Sequence, residues 1–248
     1  MIKAWRYLAA GVAAYVLVLI ITFPAHKAAR FIEQQVDELD VRAPSGTLFF
    51  GQAQQLVYQG LDLGPVRWRF RPQALLSGRL EYHLEFTHAA NTGQANLGRT
   101  LAGNLRISAV ELVIQPDRLI NHYSPVAIGT SGTLRLDIDV LEILDHFPGR
   151  ISGQADWTDA ALVEPLELAL GQLTLLMEND AKGLLGTLGN AADAGINGEL
   201  RLGAAGDYTI DVLLRPGADV SAETLEILRN SLQQQPDGDF ILRVDGQL

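Results

Sequence analysis

The chain has no cysteine among its 248 residues. This excludes disulfide-stapled folds, thiolate metal sites and cysteine nucleophiles. Charged residues are also scarce, at 19%, whereas hydrophobic residues make up 48%. A chain this apolar is not intrinsically disordered, and its length allows a sizeable core in one large domain or two small ones.

The few charges are distributed unevenly. Residues 1–30 carry four basic side chains and no acidic one, so all 29 acidic residues and the other 15 basic ones lie in 31–248, with a formal charge of −14. Such an acidic body binds nucleic acid poorly, because affinity for nucleic acid comes mainly from cationic side chains on phosphates. It also disfavours docking flat on an anionic membrane.

One long uncharged run lies near the N-terminus. Residues 7–23 contain no charged side chain, and as a helix they would extend about 26 Å, close to the thickness of a hydrocarbon core. We predict a membrane anchor over residues 1–24. The alternatives are a cleaved signal peptide, which would need small residues at a cleavage site where Phe23 and His26 stand, and a buried core helix.

The flanking charges suggest an orientation. Lys3, Arg6 and the free amino group lie before the run, and Lys27 and Arg30 follow it. The larger positive charge before the run predicts a single-pass membrane protein whose N-terminus is cytoplasmic and whose residues 25–248 are translocated across the membrane.

The body divides into a short helical segment and a long β region. Residues 25–40 have apolar side chains at helical spacing, which predicts a stalk or an amphipathic cover. From 41 to 248 the period is two, typical of antiparallel strands with one dry and one wet face. The clearest alternating runs are 79–87, 133–140, 207–214 and 239–245. We therefore predict a mainly β fold, an antiparallel curved meander with few short helices.

Smaller signals refine this prediction. A glycine two residues before a leucine recurs and indicates a turn or a bulge. Ser221 can cap a helix carrying Leu225, Leu228 and Leu232, and a helical turn or two is predicted over 116–123. Residues 180–195 are predicted to form a loop. The recurring glycines are Gly46, Gly78, Gly103, Gly132, Gly171, Gly198 and Gly246.

No catalytic, cofactor or metal site is predicted. His83 and His88 are five apart, so a strand places them on opposite faces. Asp137 and Asp139 share one face of a predicted strand, and we interpret this face as the solvated side of an amphipathic strand. His122 and His146 stand alone, and the glycines around Ser131 do not make a nucleophile elbow. A protein without enzymatic activity is therefore expected, the alternative being an envelope enzyme whose site residues are scattered in sequence.

Two clusters stand out. In the first, residues 45–51, the adjacent Phe49 and Phe50 must point to opposite faces, so one is expected in the core and the other partly exposed. In the second, residues 66–78, three arginines share the face opposite Val66, Trp68 and Phe70. They form a basic stripe suited to an acidic partner or lipid headgroups, or they neutralise nearby acids such as Glu81 and Glu85. The candidate partner-binding residues are Phe50, Arg67, Arg69 and Arg71.

These clusters resemble the type II secretion system protein N family. The matching motifs are Gly-Thr-Leu-aromatic-x-Gly at 46–51 and Val-x-Trp-x-aromatic-x-Pro from Val66, with further similarity at 153–157, 237–240 and 246–248. The first motif departs at Phe49, where the family usually has tryptophan, and at Phe50, where it has a small residue.

The resemblance implies an accessory inner-membrane component of the machinery that exports folded proteins across the outer membrane of Gram-negative bacteria. Its expected partners are other inner-membrane secretion components or the outer-membrane secretin, and no active site is implied. The chain is also similar to AsmA-like inner-membrane proteins, whose curled sheets are associated with lipid handling. The alternative function is therefore phospholipid binding in a trough.

Overall fold

The computed structural model describes residues 2–88, 91–117, 129–144, 147–164, 167–190, 195–203, 205–217 and 220–247. Three α-helices lie in this part of the chain: α1 (Ile2–Ile21), α2 (Ala25–Glu33) and α3 (Ala222–Ser231). A 3-10 helix covers Pro72–Ser77. The predicted helix over 116–123, with His122, lies mostly outside the described residues, as does His146.

The rest of the described chain is one antiparallel sheet. Apart from β2, which pairs only with β3, the strands follow one another in sequence order from β1 to β13 and then β15 and β14. Its strands are β1 (Leu39–Arg42), β2 (Ser45–Gly46), β3 (Phe50–Tyr58), β4 (Leu61–Phe70), β5 (Arg79–His88), β6 (Asn91–Thr100), β7 (Leu105–Ile114), β8 (Gly129–Leu144), β9 (Phe147–Glu164), β10 (Leu168–Asp180), β11 (Gly183–Asn190), β12 (Ile196–Gly203), β13 (Asp207–Leu214), β14 (Gln233–Gln234) and β15 (Phe240–Gln247). The predicted curved meander is confirmed.

The sheet has one apolar face along its whole width. The alternating runs predicted this, because side chains directly opposite each other on paired strands point to the same face. A continuous row of paired small or apolar residues crosses twelve strands, from β3 to β15. It consists of Ala53, Val66, Phe86, Gly93, Leu112, Leu136, Ala155, Leu175, Leu188, Gly198, Val212 and Leu242.

This apolar face is only partly covered. The chain exposes 16049 Å² of surface, whereas a compact monomer of this size would expose about 10,800 Å² by the usual scaling of surface with mass. The exposed side chains of α1 contribute to this excess, and so does a sheet that no second full layer covers. In the described chain, α2 covers the apolar face near β1–β6 and α3 covers it near β9–β15.

The N-terminal segment contains a helix where a membrane anchor was predicted. The side chains of α1 that the structure describes, such as Tyr7 and Tyr15, are exposed. Among the described residues, however, none of the helices has both the length and the apolar character that crossing a membrane requires. The structure thus supplies the helix, whereas the span stays a prediction.

The predicted loop over 180–195 is wrong in its central part, because strand β11 occupies it. Glycine-rich sequence has a weak local preference for strands. The segment is nevertheless a strand because it pairs with β10 on one side and β12 on the other. The preceding turn is fixed by Asp180, whose Oδ1 accepts hydrogen bonds from the backbone N–H groups of Lys182 at 2.7 Å and Gly183 at 3.0 Å.

The glycine signal and the predicted helix cap are largely confirmed. Five of the seven recurring glycines have the positive φ that favours glycine, and Gly198 and Gly246 lie in strands without it. Ser221 caps α3, since its Oγ accepts a hydrogen bond from the N–H of Thr224 at 3.1 Å.

Candidate functional site

Three of the four candidate partner-binding residues share an exposed patch on the polar face. Phe50 is directly opposite Arg69, and Arg67 is opposite Gln52 on one side and Glu85 on the other. Phe50 keeps 57% of its surface exposed, while Phe49 packs edge-on against Phe70 at 5.0 Å between ring centroids. Phe49 is therefore partly buried among aromatic side chains and Phe50 is exposed, so the two rings lie on opposite faces, as predicted. We call Phe50, Arg67 and Arg69 the arginine patch.

Arg71 has a different role. Its Nη1 donates to Glu81 Oε1 at 2.8 Å, and its backbone N–H donates to the Glu81 carbonyl at the same distance. Glu81 is buried, with 6% exposed. A buried carboxylate needs a charged or hydrogen-bonded partner, so Arg71 neutralises an acid, as the alternative reading of the basic stripe proposed. Arg67 and Arg69 make no ion pair with any described residue.

The neighbouring polar side chains bond to one another. The His83 ring places Nδ1 at 2.9 Å from Asn96 Oδ1 and Nε2 at 3.2 Å from Glu85 Oε1. His88 lies on the opposite face, in a pocket that Phe86 and Leu112 line together with polar side chains such as Asp62. Within the described chain, no three histidine or acidic side chains are placed to hold a metal ion.

Beneath the arginine patch lies a cluster of aromatic rings, which we call the aromatic clamp: Phe49, Trp68, Phe70 and Tyr82. Phe70 contacts Tyr82 at 5.4 Å between centroids, and Trp68 Nε1 donates to the Thr47 carbonyl at 3.1 Å. Burial raises the pKa of the Tyr82 phenol above its usual value. The clamp joins the motif at 46–51 to the motif beginning at Val66.

Next to the clamp, Thr47 and Leu48 fix the link between the two N-terminal helices to the sheet. The Phe23 carbonyl, between α1 and α2, accepts a hydrogen bond from the Leu48 N–H at 2.8 Å, and Pro24 bridges to Thr47. At the other end of α2, Glu33 Oε1 accepts from the Val41 N–H at 2.8 Å. Helix α2 is therefore held at both ends across the apolar face.

A cavity of about 320 Å³ lies between α2 and the sheet. Its size is at the lower end of the range for ligand-binding pockets, and its lining is almost entirely apolar. Sequence reasoning missed it, although the predicted amphipathic cover over 25–40 was a signal for it. The cavity is lined by Ala25, Ala28, Ala29, Ile32, Leu39, Val41, Leu48, Leu56, Val66, Trp68, Tyr82, Leu84 and Leu97.

The other end of the sheet holds a second buried region. Helix α3 rests over a cluster of buried residues, and Thr224 Oγ1 donates to the Glu167 carbonyl at 3.3 Å. Asp239 is buried and accepts from Arg215 Nη2 at 2.9 Å. This bond raises the pKa of Arg215, so the guanidinium stays charged. The cluster consists of Ala160, Leu168, Leu170 and Leu173.

Comparison with known proteins points to one family. The family model described as type II secretion system (T2SS), protein N matches residues 37–243. The chain is 27% identical over 207 residues to the type II secretion system protein N of Vibrio cholerae serotype O1, covering 81% of each chain. It is 26% identical over 245 residues to the protein of the same name from Aeromonas hydrophila, covering 95% of each. No solved structure matches the chain.

Proposed function

Because the chain belongs to the type II secretion system protein N family, and is therefore a component of that secretion machinery, we propose that it acts there as an accessory inner-membrane protein whose sheet binds other components. The family match over 37–243 carries this proposal. The arginine patch supports it, since two unpaired guanidinium groups beside an exposed aromatic ring are typical of interface residues.

Helix α1 is proposed to hold the protein at the inner membrane, with the N-terminus in the cytoplasm and the sheet in the periplasm. The support is its row of exposed apolar and aromatic side chains, such as Tyr7, Leu8 and Leu19. Side chains of this kind are stable in contact with lipid and unfavourable in water.

The expected partners are the periplasmic parts of inner-membrane secretion components or of the outer-membrane secretin. The patch lies in a body with a strong negative charge, so an acidic partner would meet attraction there. The proposed role is binding and not catalysis, since the polar side chains around the patch satisfy one another, as His83 does with Glu85 and Asn96.

We expect the double substitution Arg67→Glu and Arg69→Glu to reduce capture of secretion components about tenfold, the effect of losing a strong interface contact. Two like-charged groups would then face an acidic partner. Capture is measured by pull-down of the full-length tagged protein from detergent-solubilised envelopes, and secretion is measured from culture supernatants of a complemented deletion strain.

The matched control is Arg135→Glu with Arg150→Glu, which makes the same charge change at exposed positions of β8 and β9. This variant should capture partners normally. Equal capture and equal secretion by both double variants, at normal protein levels, would rule out the arginine patch as the binding surface.

Phospholipid binding is a second candidate function, favoured by the apolar cavity under α2. We expect gently purified full-length protein to carry phospholipid in native mass spectrometry. Ala28→Leu would fill the cavity and should remove the lipid, whereas His26→Leu on the exposed side of α2 should retain it. Protein that is free of lipid, or lipid retained equally by both variants, would exclude the cavity as a lipid site.

A further inference from the structure

One rim of the sheet carries a group of exposed leucines, which we call the leucine tip: Leu75, Leu76, Leu80 and Leu101. Leu76 and Leu101 keep 94% and 88% of their surfaces exposed, more than Tyr7, which at 78% is the most exposed large apolar side chain described in α1. Clustered apolar side chains at this degree of exposure mark an interaction surface.

Backbone hydrogen bonds hold the tip in place. The 3-10 helix Pro72–Ser77 ends at Gly78, whose positive φ of 68° turns the chain into β5. The Leu101 N–H donates to the Gly78 carbonyl at 3.2 Å. In the β6–β7 turn, the Gly103 N–H donates to the Thr100 carbonyl at 2.9 Å. The leucines are therefore presented by two tight turns bonded to each other.

The tip lies on the rim where α1 joins the body. The Phe70 N–H, at the end of β4, donates to the Phe49 carbonyl at 2.7 Å, and the 3-10 helix begins two residues later. The neighbouring Leu48 N–H bonds the Phe23 carbonyl just after α1. The end of α1, the aromatic clamp and the leucine tip thus share one end of the sheet.

This rim is also locally basic. Arg71, Arg79 and Arg99 lie at the strand ends that form it, and the acid among them, Glu81, is already bound by Arg71. Arg79 and Arg99 make no ion pair with a described residue. Leucines flanked by arginines fit the boundary of an anionic bilayer, where apolar side chains enter the acyl region and guanidinium groups meet phosphates.

We propose that the leucine tip inserts into the interface of an anionic phospholipid bilayer, the same bilayer that holds α1. The inference rests on the proposed membrane attachment of α1. Standing on this rim, the sheet keeps its acidic polar face away from the anionic surface, which resolves the repulsion expected for a body that lies flat.

The absence of cysteine makes the test direct, because single cysteines can be introduced and labelled with an environment-sensitive fluorophore. The positions are Leu76→Cys and Leu101→Cys in the tip, Val16→Cys in α1, and Glu164→Cys at the opposite rim as a control. All four side chains are exposed, so folding is not at risk. Each full-length variant is reconstituted into nanodiscs of phosphatidylglycerol and phosphatidylcholine, and quenching by doxyl-labelled lipid is measured.

We expect blue-shifted, quenched emission at 16, 76 and 101 and aqueous emission at 164. Quenching at 76 and 101 should be lost in pure phosphatidylcholine or in 1 M salt, which screens the arginines, while quenching at 16 persists. Quenching at 16 with aqueous emission at both tip positions would overturn the inference and leave α1 attachment intact. Aqueous emission at all three would overturn both. Tip labels protected only after other envelope proteins are added would make the tip a protein contact and also overturn it.

Discussion

Replacing Phe240 with alanine is expected to lower the free energy of unfolding by about 3–5 kcal/mol, the usual cost of removing a buried phenylalanine ring. Phe240 has 0% of its surface exposed and begins β15, between Leu214 on β13 and Gln234 on β14. A protein of this size should then melt about 10 °C lower. The measurement is thermal unfolding of the full-length protein by circular dichroism.

Phe240 has this effect because it lies where several contacts meet. Asp239 beside it is buried and bound to Arg215, so ring and ion pair together fix the last long strand. The matched control is Phe31→Ala on α2, which removes the same ring from a position 65% exposed and should change stability by less than about 0.5 kcal/mol. Equal melting temperatures for the two variants would contradict the burial of β15 described here.

Much of this fold follows from side-chain alternation alone. Runs such as 133–140 fix which face of the strand is buried. A shift of the strand pairing by one residue would expose every apolar side chain of the run to water. The antiparallel meander could therefore be predicted. So could the placement of Arg67 and Arg69 on the face of β4 that Trp68 does not occupy. Ser221 likewise marked the start of α3 through its capping chemistry.

Other features depend on tertiary contacts that a linear pattern does not contain. Strand β11 forms in glycine-rich sequence because its neighbours pair with it on both sides. The role of Arg71 separates from that of Arg67 because the turn after β4 buries Glu81, which alternation placed on the solvated face. The leucine tip arises because Gly78 and Leu101, far apart in sequence, are joined by a hydrogen bond.

Replacing Gly51 with alanine is expected to destabilise the protein by about 3 kcal/mol, the upper end of the range for overpacking. A Cβ at this position would overlap the Trp68 ring, lying 2.6 Å from its Cε2, and would sit 2.7 Å from the Ser45 carbonyl. The matched control is Gly189→Ala in β11, where no atom lies within 4 Å. Unfolding by urea measures both, and the control should be neutral or slightly stabilising.

The Gly51 substitution also tests why the two sequence motifs occur together. If the glycine exists to let the Trp68 ring lie on the strand, the cost of Gly51→Ala should fall when Trp68 is already alanine, although the Ser45 carbonyl keeps part of it. A double-mutant cycle measures this coupling. Because the Trp68 N–H bonds Thr47, next to the attachment of α1 and α2, Gly51→Ala should also make α2 more sensitive to limited proteolysis. Additive costs would mean that the motifs act independently. Unchanged proteolysis of α2 would mean that the aromatic clamp does not hold the helices to the sheet.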